Sequence, residues 1–179
     1  VTLLLGYCRL VDWINERFSK IADWMVLLSA LVSAGNAGMR YAFNMSSNAW
    51  LEIQWYMFGV MFLLGASYTL RMNEHVRVDI IYGNLPERGK LWIDLLGGIF
   101  FLLPATAILC WMSWPMFVNS YEIHEMSNNA GGLLRWPIKL MLPVGFFLLT
   151  LQGLAEVIKR IAVLTGDYKL DVKYEKPVQ

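Results

Sequence analysis

The sequence predicts an all-α integral membrane protein: four transmembrane helices plus an N-terminal interfacial amphipathic helix, in one membrane domain over residues 1–179. Three observations carry this. Four apolar stretches occupy residues 21–39, 50–70, 91–112 and 138–158, and a helix of ~20 residues spans the ~30 Å hydrocarbon layer. Hydrophobic residues make up 57% of the chain and charged residues only 16%, where a soluble domain would carry about 25% charged residues. Lys and Arg are also sorted. Twelve of the 15 precede the first stretch, lie between the second and third, or follow the fourth. Cationic segments are retained on the cytoplasmic side, so both termini are expected there.

Residues 10–20 read as the interfacial helix. Leu10, Val11, Ile14, Phe18 and Ile21 share one face, and Asp12, Asn15, Glu16, Arg17, Ser19 and Lys20 cover the rest. Such a helix lies in the interface plane; the alternative is that the first span begins early. That span carries Ala30, Ala34 and Gly38 at four-residue steps, a spacing that lets membrane helices approach closely. The stripe fits packing within the bundle or contact with a partner. Arg40 ends span one and Glu52 begins span two at the same depth, either as a pair across the turn or as two charges snorkelling to the surface. Span three is expected to kink at Pro104. Span four contains Pro143 and Gly145. The outer loop 113–136 holds a turn signal at Asn128-Asn129-Ala130-Gly131-Gly132, and residues 165–179 form a polar tail.

Tryptophan supports the spans, because indole prefers the headgroup zone. Trp13, Trp24 and Trp92 fall at predicted inner ends, and Trp50, Trp55, Trp111, Trp114 and Trp136 at outer ends. Cys8 and Cys110 fall on opposite sides, so no disulfide joins them within one chain. Val1 to Tyr7 is apolar but short and lacks a preceding basic region, so no signal peptide is expected.

The chemistry is sparse. An ionisable group at mid-bilayer costs ~2.5–3.5 kcal/mol and marks an ion or substrate pathway, yet the span centres carry no charge. Asp23, Asp94, Glu52 and Glu156 all sit near span ends. A haem site would need paired His ligands in the membrane, and His75 and His124 fall on opposite sides. No phosphate loop or nucleophile motif appears. Neither catalysis nor a cofactor, metal ion, substrate or nucleic-acid site is expected. The chain reads as a membrane scaffold; a self-assembling exporter built on Glu52 and a redox anchor are the alternatives.

Three stretches carry a family resemblance. They are Trp50-Leu51-Glu52 with Gly65-Ala66; His75-Val76-Arg77-Val78-Asp79 with Leu85-Pro86 and Arg88; and Gly131 to Lys139 with Leu142-Pro143-Val144-Gly145-Phe146 and Gln152-Gly153. Over residues 20–162 the chain resembles the small membrane (Q-type) subunit of tripartite ATP-independent periplasmic (TRAP) transporters. The resemblance implies a bacterial inner-membrane subunit that braces a large elevator-type membrane subunit driven by sodium. A periplasmic solute-binding protein delivers the solute, an organic acid of the carboxylate or keto-acid class. The large subunit is expected to associate non-covalently. His75, Arg77 and Asp79 would pin the inner loop against the bundle or the partner, or stay solvated with Arg77 at lipid phosphate.

Overall fold

The computed structural model describes residues 2–45, 47–75, 82, 85–166 and 168. Among them, four helices are long and apolar enough to cross a membrane. They are α1 (Thr2–Phe43), α2 (Asn48–Met72), α3 (Glu87–Glu122) and α4 (Trp136–Thr165). In lipid each backbone polar group must be satisfied within the chain, and the helix does this locally. Ser47 caps α2, its hydroxyl accepting from Ala49 N–H at 3.3 Å. Asn73, at φ 61°, closes the other end, its N–H donating to Leu70 O.

The segment expected to lie apart as an interfacial helix runs unbroken into the first span. At 42 residues, α1 is roughly 63 Å long at 1.5 Å per residue, so the first helix does begin early. Its faces also differ from expectation. Leu10 and Trp13, each 56% exposed, point outward. Cys8, Val11, Asn15, Ser19 and Ala22 form the buried stripe. Val11, Ile14 and Phe18 of the expected apolar face pack into the bundle, and the polar groups buried beside them must find partners inside the protein.

Helix α4 is the centre of the bundle and touches the other three. It runs parallel to α2 and antiparallel to α1 and α3. One core cluster joins Ala22, Leu64 and Leu148, with Ile14, Phe18, Val60, Met61 and Val144 around it. A second joins Cys8, Val11 and Ala155. Helices α2 and α4 come close at Gly145, where a Cβ would lie 2.7 Å from Leu63 Cβ and 3.0 Å from Leu63 O. Only a residue without a side chain lets α2 and α4 meet there. Pro143 lies buried beside it, its carbonyl accepting from Cys110 Sγ of α3 at 3.5 Å.

Span three departs from regular α-helical geometry just before Pro104. Proline has no N–H and crowds the carbonyl four residues earlier. A π-helical turn, Gly98–Leu102, lies there, with Leu103 N–H donating to Gly98 O. The helix then continues to Glu122, well past the expected end at residue 112. The connecting loop is therefore 123–135 rather than 113–136. Its Asn128–Gly132 turn forms as expected, with Gly131 at φ 70°.

Candidate functional site

Two polar assemblies sit at opposite ends of the bundle. The larger one was not legible as a site in the sequence. On α4, Gln152, Glu156, Lys159 and Arg160 recur at helical spacing and share one face. All four are buried, Gln152 completely. They meet Asp12 and Asn15 of α1 and Asp94 of α3, and Arg71 of α2 joins through Asp12. Lys159 Nζ lies 2.8 Å from Asp12 Oδ1 and 2.9 Å from Glu156 Oε1. Arg160 bridges Glu156 on its own helix and Asp94 of α3, its Nη2 being 3.3 Å from Asp94 Oδ2. Gln152 Nε2 donates to Asp12 Oδ1 at 2.9 Å and to Glu156 Oε1 at 3.1 Å. Asn15 Nδ2 donates to Gln152 Oε1 at 2.7 Å. Arg71 brings in α2, donating to Asp12 O at 3.1 Å and contacting Glu16 at 3.4 Å.

The electrostatics close on themselves. Asp12, Asp94 and Glu156 are matched by Arg71, Lys159 and Arg160, while Glu16 also pairs with Lys20 at the surface. Removing one member of such a set strands the rest in low dielectric. The assembly thus ties all four helices together at one end. Tyr7 and Cys8 extend it along α1, donating to the carbonyls of Leu151 and Ala155.

The second assembly clamps the 123–135 loop onto α2 and α4. Glu52 Oε1 accepts from the Ser127 hydroxyl and from Asn129 Nδ2 at 2.8 Å, and Oε2 accepts from Leu133 N–H at 2.7 Å. Asn48 and Tyr56 donate to the carbonyls of Ala130 and Leu134. Gly132 is required for closeness: a Cβ there would strike Ser127 and lie 3.0 Å from Glu52 Oε1. Glu125 pairs with Lys139, and with Arg135 at 3.8 Å. The hydrogen bond from Lys139 holds the Glu125 carboxyl below its usual range. A depressed carboxylate pKa stabilises the fold above the unfolded value of about 4.3 and stops doing so as pH falls through the folded value. A carboxyl-carbon NMR titration should show Glu125 titrating below its ordinary range, with the midpoint moving up in Lys139→Met. An unchanged midpoint in that variant would dismiss the pairing.

The residues singled out from sequence have varied fates. Glu52 is held by the loop, and Arg40 is exposed at the end of α1; no ion pair joins them among the described residues. Ala30, Ala34 and Gly38 face outward, and a Cβ on Gly38 would meet nothing within 4 Å. Packing of that stripe inside the bundle is thereby corrected: Ser29, one residue along, is the buried position. Pro143 and Gly145 are buried at the crossing of α2, α3 and α4. His75 is exposed beyond α2, at the end opposite His124. Arg77 and Asp79 lie outside the described residues.

Two of the three stretches that carry the resemblance thus meet in space, through Glu52 and the Gly132-Leu133 backbone. The comparison with known families agrees. The family model for the DctQ component of tripartite ATP-independent periplasmic transporters matches residues 29–163. The chain belongs to the DctQ family. That family is a component of tripartite ATP-independent periplasmic transporters, a transporter component rather than an enzyme class. A Haemophilus influenzae protein named as a TRAP transporter small permease is 24% identical over 114 residues, covering 63% of this chain and 71% of that protein. No solved structure matches this chain. The DctQ match takes in Glu52, the loop clamp and the α4 side of the ionic network, while Asp12 and Asn15 fall before it.

Proposed function

We propose that this DctQ subunit is the static scaffold of a sodium-coupled importer of an organic acid of the carboxylate or keto-acid class. A periplasmic binding protein delivers the solute, a large membrane subunit carries it by an elevator motion, and this chain braces that subunit. The observation that carries the reading is the closed ionic network. It fixes four helices to one another and commits the buried charges to each other rather than to an ion or solute. A carrier that moves needs helices that slide, whereas a brace needs them locked. The solute class rests on the resemblance of residues 131–153.

In this reading the chain lies in the bacterial inner membrane with both termini cytoplasmic, the ionic network at the inner headgroup level and the loop clamp at the periplasmic face. Reporter fusions at Asn129 should read periplasmic and those after Gly166 cytoplasmic. A cytoplasmic signal from Asn129 would reject the orientation. The exposed Ala30–Ala34–Gly38 stripe is offered as part of the contact with the large subunit. Ala34→Leu should weaken co-purification with that subunit in mild detergent and leave the isolated chain's stability within about 0.5 kcal/mol of wild type. Equal co-purification would remove the stripe from the interface.

The self-assembling exporter is disfavoured because both Glu52 oxygens are already occupied by loop donors. The redox anchor is disfavoured because His75 and His124 sit at opposite ends of the bundle.

A further inference from the structure

The N-terminal turns of α2 and α4, with Ser127 and Asn129 of the clamped loop, line an open cleft of about 480 Å³. We propose that this cleft binds one membrane phospholipid, with the phosphate on Arg135 and the upper part of an acyl chain along Leu51, Trp55 and Ile138. The volume falls in the ~300–1,000 Å³ range of ligand pockets.

The chemistry of the walls is layered as a lipid is. Leu51, Trp55 and Ile138 form the apolar wall, and Glu52, Arg135 and Lys139 carry its charge, one more positive than negative. The charged residues lie where the two helices begin, which is headgroup level for a membrane span, and Trp55, 77% exposed, fits that level. Two of the three charges are already engaged. Glu52 is saturated by Ser127, Asn129 and Leu133, and Lys139 is bound to Glu125. Arg135 differs. Its contact with Glu125 is long, 3.8 Å, and runs through Nη1. A guanidinium has five N–H donors in a planar fork that matches phosphate oxygens. The start of α4 adds the positive end of a helix dipole beside it. An anion there gains a charge-assisted partner, and an acyl chain covers apolar wall that would otherwise be lined loosely.

The test uses the full chain, stripped of lipid in detergent and examined by native mass spectrometry. The probes are phosphatidylglycerol, phosphatidylethanolamine and a diacylglycerol with the same acyl chains. One phospholipid should stay bound, and diacylglycerol should not. Arg135→Gln should lower affinity about tenfold, the loss of one charge-assisted hydrogen bond. Leu51→Trp, which fills the cleft from its exposed wall and touches no charge, should lower it similarly. Arg17→Gln, at the other end of the bundle, should bind as wild type does. A large excess of inorganic phosphate should leave the lipid in place. Equal retention of diacylglycerol, displacement by inorganic phosphate, or wild-type affinity in both cleft variants would each overturn the proposal. The comparison of lipids on the unaltered chain decides the matter even if a variant fails to fold.

Discussion

Replacing Lys159 with methionine is expected to destabilise the isolated chain by about 3–5 kcal/mol, the usual cost of removing one partner from a buried ion pair. Lys159 is the cation between Asp12 and Glu156, at 2.8 and 2.9 Å. Methionine fills much of the same volume, so the loss is electrostatic rather than a cavity. Two carboxylates would then face each other with only Gln152 between them. Arg71, 3.7 Å from Asp12, and Arg160, beside Glu156, would compensate in part. Neutralising the site further should recover stability: Lys159→Met with Asp12→Asn should be less destabilised than the sum of the single changes. The check is a double-mutant cycle of unfolding free energies in detergent, where groups sharing one network couple by about 0.5–3 kcal/mol. Strict additivity would mean that the network does not join α1 to α4.

Gly145→Leu should carry the next largest effect. The Cβ alone would press on Leu63 Cβ at 2.7 Å and on the Leu63 carbonyl at 3.0 Å, and the carbonyl belongs to the α2 backbone, so no rotamer change relieves it. The two helices must separate, and overpacking of this kind costs about 1–3 kcal/mol or more. Ala34→Leu adds similar bulk to an outward face and serves as the control. Thermal unfolding of both variants in one detergent separates them. Equal melting temperatures would show that α2 and α4 do not approach closely at this point.

The four spans are legible in the sequence because an apolar run of membrane length is rarely anything but a span. Pro104, the Asn128–Gly132 turn and the loop glycines announce themselves by backbone chemistry. Side-chain partners do not. Asp12, Asn15 and Glu16 read as a solvated face because polarity on a surface helix usually means water. In a membrane the inference inverts: Asp12 and Asn15 on α1 face the polar stripe 152–156–159–160 on α4, and Glu16 faces Arg71 on α2. That matching is the signal the sequence holds, and it emerges only when helices are read in pairs. Glu52 has Arg40 as its nearest cation in sequence, yet its partners are a hydroxyl, an amide and a backbone N–H some 75 to 81 residues away. The Ala30 stripe shows the opposite error. Small residues permit close contact, and whether the neighbour is within the chain or outside it is set by the rest of the bundle.

A subunit that braces a transporter and conducts nothing itself has a signature in transport. Reconstitution in liposomes tests it most directly, with the large subunit, the solute-loaded binding protein and an inward sodium gradient, each with and without this chain. No solute uptake is expected by this chain alone, with uptake by the complete set and its loss when this chain is omitted. Uptake by this chain alone, or full uptake in its absence, would contradict it.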